Sequence, residues 1–126
     1  MSSEAYAGNP AGGKKCASGT LFPSYTDTSV TIHLDFTPTK VMIFLNNQNS
    51  PDSIYNGLLT CLEYDFSTNY GFLYGRSYDE NQGYSLYYTS TYRPTFSSGT
   101  LTFLSGAFNF YSSSTAPYGY TWMAME

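Results

Sequence analysis

Between Thr28 and Leu45 the chain reads TSVTIHLDFTPTKVMIFL. Val30, Ile32, Leu34 and Phe36 occupy every second position, with Thr31, His33 and Asp35 between them. A period of two is the mark of a half-buried strand. Thr37-Pro38-Thr39 then breaks the alternation, because proline has no N–H to give to a ladder. Val41 to Leu45 follows as a nearly continuous apolar run, the pattern of a strand covered on both faces. The stretch predicts an opening hairpin at the heart of a sandwich.

The same reading along the chain predicts a first strand over Ser18–Phe22, with a turn from Pro23 to Asp27. Leu58–Phe66 follows the polar loop Asn46–Gly57. In that strand Leu58, Thr60, Leu62, Tyr64 and Phe66 alternate with Leu59, Cys61, Glu63 and Asp65. Ser67-Thr68-Asn69 turns the chain into a short strand over Tyr70–Tyr74. Arg76–Gly83 (RSYDENQG) is the most charged segment and reads as exposed loop, and Tyr84–Tyr92 reads as a strand closed by Pro94. Thr100–Leu104 is expected to pair with Ala107–Tyr111 across Ser105-Gly106, with Gly106 at positive φ. Gly119–Glu126 alternates Tyr120, Trp122 and Ala124 against Thr121, Met123 and Met125, and is expected to be tied into a sheet. No stretch has helical periodicity. The expectation is an all-β, antiparallel β-sandwich, jelly-roll-like, of eight or nine strands over residues 18–126. Residues 1–17, rich in Gly, Ala and Ser, read as a flexible N-terminal arm.

Composition narrows the function classes. Of 126 residues only 11% are charged, while 19% are aromatic, with 14 Tyr and 9 Phe. So few charges suit a surface covered by neighbours or built from Ser, Thr, Asn and Tyr, as in an assembly or an adhesive surface. The net charge of −4 and only five basic residues cannot build the basic patch that nucleic acid needs. The N-terminal stretch lacks the apolar core of a secretory signal, and no run is long enough for a membrane helix. The chain is therefore expected to work in the cytoplasm where it is made, or to leave as part of a particle.

Little in the sequence points to catalysis. His33 is the single histidine, and no nucleophile motif accompanies it. Glu63 and Asp65, two apart on one strand face, and Asp79-Glu80 are the carboxylate pairs open to glycosidase work. Each is read more simply as a solvated strand face or loop tip. Cys16 and Cys61 are too few for a disulfide framework, Cys61 reading as core and Cys16 as exposed. No spacing suggests a metal site, and no cofactor is expected. The tyrosine surplus is the better lead. Tyr78, Tyr84, Tyr87, Tyr88 and Tyr92, with Arg76, cluster around the charged segment as a candidate ligand-binding surface, since tyrosine joins a rigid apolar face to a polar tip.

Gly19-Thr20-Leu21-Phe22, the run Val30–Phe44 and the ending Tyr120-Thr121-Trp122-Met123-Ala124 resemble a small β-sandwich module of tailed-bacteriophage virion proteins. Those modules open with G-T-F, continue V-x-V … G-F-x-P-x-x-V-x-V and close near an aromatic Y-x-W-x-A strand. Leu34-Asp35 stands here where the module has glycine before Phe36. The resemblance implies a non-enzymatic virion structural protein of fibre, decoration or tail-tip type, commonly oligomeric and here expected as a homotrimer. The arm would fasten it to other virion proteins, and attachment to a host-surface glycan is a possible contribution. The alternative is a lectin-like module that binds carbohydrate through the tyrosine-rich loops.

Overall fold

The computed structural model describes residues 4–7, 14–24, 26–46, 57–77, 80–87, 90–110 and 119–126. Within them lie strands β1 (Glu4–Ala7), β2 (Cys16–Leu21), β3 (Ser29–Leu34), β4 (Lys40–Leu45) and β5 (Leu58–Asp65). After them come β6 (Tyr70–Ser77), β7 (Glu80–Ser85), β8 (Thr95–Ser97), β9 (Thr100–Leu104) and β10 (Tyr120–Met125), with a 3₁₀ turn at Ser90–Tyr92. One sheet runs β2-β10-β4-β5-β6-β7 and the other β1-β3-β9-β8. All pairings are antiparallel except that of β1, which adds to β3 in parallel. The expected antiparallel sandwich is thus present as nine strands, six facing three, with β1 as a tenth. Of the residues read as an arm, 4–7 form β1 and Cys16 and Ala17 open β2.

The core is the set of inward positions that the alternation predicts. Val30, Ile32 and Leu34 on β3 and Leu101 and Phe103 on β9 face Val41, Ile43 and Leu45 on β4 and Tyr120, Trp122 and Ala124 on β10, all buried. β10 lies between β2 and β4 and so carries the largest buried side chain through the middle of the wider sheet. Tyr120 donates its hydroxyl to the carbonyl of Leu59, giving the buried phenol a partner. Trp122 stands opposite Gly19 of β2. A Cβ there would come within 2.8 Å of the indole Nε1, so only glycine leaves room for the ring.

Several sequence expectations change for identifiable reasons. β3 and β4 lie in different sheets, so Pro38 turns an arch between layers and not a hairpin within one. β4 is also one-sided, for Met42 and Phe44 are only half-buried on the outer face. In β5 a bulge between Leu59 and Cys61 resets the phase, as an extra residue in one strand must. Leu59 and Leu62 both turn inward, while Cys61 is half-buried outside the core.

The charged segment is largely strand. β6 runs to Ser77 and β7 starts at Glu80, leaving Tyr78 and Asp79 outside the described residues. The strand expected over Tyr84–Tyr92 stops at Ser85, where Arg93 donates from Nε to the Leu86 carbonyl at 2.7 Å and from Nη2 to the Tyr87 carbonyl at 2.6 Å. These bonds bend the chain towards the second sheet. β9 pairs with β8, not with Ala107–Tyr111. The connection is Ser98-Gly99, both at positive φ (51° and 79°), the signature of a type I′ hairpin turn. Gly106 does have positive φ, but among the described residues 107–110 the sheet contact is a bridge from Asn109 to Leu58. β8 has three residues, too few to show a period in the sequence.

Gly19→Ala is expected to lower unfolding free energy by about 1–3 kcal/mol, the usual cost of overpacking a core. Urea denaturation measures it, and an unchanged midpoint would contradict the packing of Trp122 against β2.

Candidate binding face

A sandwich sheet has one face in the core and one outside. The registers of the six-stranded sheet stack its outward residues in rows. Met125, Lys40, Asp65 and Tyr70 are consecutive cross-strand partners from β10 to β6, as are Met123, Met42, Glu63 and Phe72. Phe44, Cys61 and Tyr74 form a third row on β4, β5 and β6. Directly opposed residues stand close enough for their side chains to touch. The outer face is therefore thioether and aromatic, with three charged groups gathered at one end.

Along β6 the aromatic residues at alternate positions pack on one another. The rings of Tyr70 and Phe72 meet edge-to-face at 5.1 Å, and those of Phe72 and Tyr74 stack at 5.8 Å. Tyr87 joins from beyond β7, 6.2 Å from Tyr70. Tyr70 and Tyr87 keep 42% and 53% of their surface exposed, so the array is open to solvent at both tyrosines. Beside it lies a cleft of about 340 Å³ lined by Lys40, Met42, Glu63, Asp65, Thr68, Tyr70, Phe72 and Met125, among others. That volume sits at the small end of ligand clefts, which span roughly 300–1,000 Å³.

The electrostatics of the cleft follow from its turn. The Ser67 hydroxyl donates to Asp65, and the backbone N–H of Ser67 donates to Asp65 Oδ1 at 2.8 Å. These bonds, with the Thr68 N–H and the charge of Lys40 on the next strand, hold the Asp65 carboxyl below its ordinary range. Asp65 is accordingly a fixed anion at neutral pH, accepting from the turn and facing a cation. Cys61 behaves oppositely. Burial, helped by the Glu63 carboxylate, pushes its thiol up to about 11. It is a neutral, unreactive side chain in an aromatic row. Among the described residues no three His, Cys, Asp or Glu side chains gather as metal ligands.

The residues singled out from sequence are dispersed. Tyr78 and Tyr88 lie outside the described residues. Tyr84 stands opposite Leu73 and leans towards Phe108, ring centres 5.8 Å apart, on the core side of the sheet edge. Tyr92 is half-buried against the core and close over Gly106, and Arg76 is half-buried on β6. Of the described ones, Tyr87 joins the aromatic array. The residues missed were Lys40, Met42, Tyr70, Phe72 and Met125. Their signal was present, since Tyr70, Phe72 and Tyr74 recur at the strand period beside a Glu63–Asp65 pair at the same period.

Cys16 and Cys61 are both free thiols, Cys16 exposed. At pH 8 a maleimide or disulfide reagent should label Cys16 at least about tenfold faster than Cys61, because the thiolate is the reacting species. Equal rates, read by mass spectrometry of the partly labelled chain, would contradict the placement of Cys61.

No protein-family model, curated protein or solved structure matches the chain.

Proposed function

We propose that the chain is a non-enzymatic structural and attachment module of a tailed-phage particle, and that it makes its contact through the outer face of the six-stranded sheet. The observation that carries this reading is the chemistry of that face. Around Lys40, Glu63 and Asp65 it carries exposed Tyr74, Met123 and Met125 and half-buried Met42, Phe44 and Phe72. Large apolar side chains grouped on an outer face in this way mark a contact site.

The resemblance to virion sandwich modules supports the same reading. Its three matching stretches meet in space: Gly19 lies against Trp122, and β10 is sandwiched between β2 and the end of the Val30–Phe44 run. The matched residues make one packing unit. The N-terminal segment is the fastening element of this proposal, β1 being a short strand that adds to the edge of β3 in the manner of strand addition. The lectin alternative gains a more specific location, for the cleft lies on the sheet face and not among the tyrosine-rich loops.

Two outcomes follow. Phe72→Ser with Tyr74→Ser should fold, as circular dichroism would show, yet lose attachment of the purified chain to cells the particle infects; undiminished attachment would sink the role of the face. Deleting residues 1–13, which leaves β2 whole, should prevent incorporation into particles, and normal incorporation would remove the fastening role of the arm.

A further inference from the structure

We infer that the cleft beside Tyr70 and Phe72 is a saccharide subsite that takes an uncharged sugar ring. This deepens the attachment reading and rests on it for the biological setting, but the argument is local. A pyranose has two kinds of surface. Its C–H face is apolar and weakly positive, and suits the negative face of an aromatic ring. Its rim of hydroxyls needs donors and acceptors together. The cleft offers both, with Tyr70 and Phe72 as the ring surface and Lys40, Glu63, Asp65 and Thr68 as the polar groups.

The charges disfavour anionic ligands. Two carboxylates against one ammonium leave the cleft with a formal charge of −1, which repels phosphates, sulfates and uronates. Lys40 faces Asp65 across β4 and β5. Asp65 is itself engaged by the Ser67 hydroxyl and N–H, so its remaining lone pairs are oriented. An oriented carboxylate accepts strongly from hydroxyl donors. A second copy of the chain packed here would bury Lys40, Glu63 and Asp65 against the thioethers and rings around them. Stripping such charges of water without new partners is costly. A neutral polyhydroxylated ligand satisfies all of them and leaves the rim wet.

The test uses the whole chain, titrated calorimetrically with neutral oligosaccharides of glucose, galactose, mannose and N-acetylglucosamine, and with polygalacturonate as an anionic comparator. At least one neutral oligosaccharide is expected to bind. Tyr70→Ala and Glu63→Ala should each weaken it by at least about tenfold, a loss of the size expected when one ring face or one charged acceptor is removed from a small ligand. Tyr84→Ala, on the core side of the sheet edge, should leave it unchanged. The subsite is overturned if none of the neutral sugars binds, if polygalacturonate binds better, or if binding survives Tyr70→Ala. It is equally overturned if light scattering shows an oligomer that Met125→Ser dissociates, since the face would then belong to a second copy. The two readings fail separately. Cell attachment lost in Phe72→Ser with Tyr74→Ser while no sugar binds would spare the attachment face and remove the subsite. Sugar binding without any effect of those substitutions on attachment would do the reverse.

Discussion

The pleat of the six-stranded sheet is the constraint on which everything else depends. Once Val41, Ile43, Leu62, Tyr64, Leu73, Trp122 and Ala124 are buried, the positions between them have no choice but to stand outside. A one-residue slip of any strand would exchange the two sets. β5 is where this is most exposed to error, because Leu58 and Leu59 are both buried although adjacent. The bulge between Leu59 and Cys61 reconciles them with Leu62 and Tyr64. It thereby puts Glu63 in line with Met42 and Phe72, and Asp65 in line with Lys40 and Tyr70. The cleft is a consequence of that reset.

The core holds the register in place from the other side. β10 is hydrogen-bonded on both edges, to β2 and β4, and its Tyr120 hydroxyl reaches the Leu59 carbonyl next to the bulge. The same strand contributes Met123 and Met125 to the outer face. Burial of Trp122 on one side and presentation of methionine on the other are the two halves of one alternation. Beyond the strand ends, Thr39 donates its N–H to the Met125 carbonyl at 2.7 Å and Phe66 donates to the Thr39 carbonyl at 2.7 Å. These bonds tie the Pro38 arch, β10 and the Ser67 turn together at the charged end of the face.

What could be read from the sequence was whatever depends on local period. Val30–Phe36 and Tyr120–Ala124 each announced their alternating side chains, and the class of fold followed. What could not be read depends on partners distant in sequence. Nothing in TPTKVMIFL says that Val41 pairs with Ala124 and Tyr64 instead of folding back on β3, so the arch looked like a hairpin. The polar residues of ENQGYS hid a strand because β7 is, among the described residues, an edge strand paired with β6. Tyr84 lies on the core side of the sheet edge and Tyr92 in the Ser90–Tyr92 turn against the core, away from the β6 array that Tyr87 joins. Period within β6 was the better guide, since it alone placed Tyr70, Phe72 and Tyr74 together.

We propose recognition on the outer sheet face and not on the tyrosines around residues 84–92. Hydroxyl-radical footprinting of the whole chain, free and bound to the envelope of cells that the proposed particle would infect, addresses it directly because methionine and tyrosine are both readily oxidised. Protection is expected at Tyr70, Phe72, Met42 and Met125 on binding, with Tyr84 and Tyr92 unchanged. Protection confined to Tyr84 and Tyr92, with the methionines of the face still oxidised at the free rate, would contradict it.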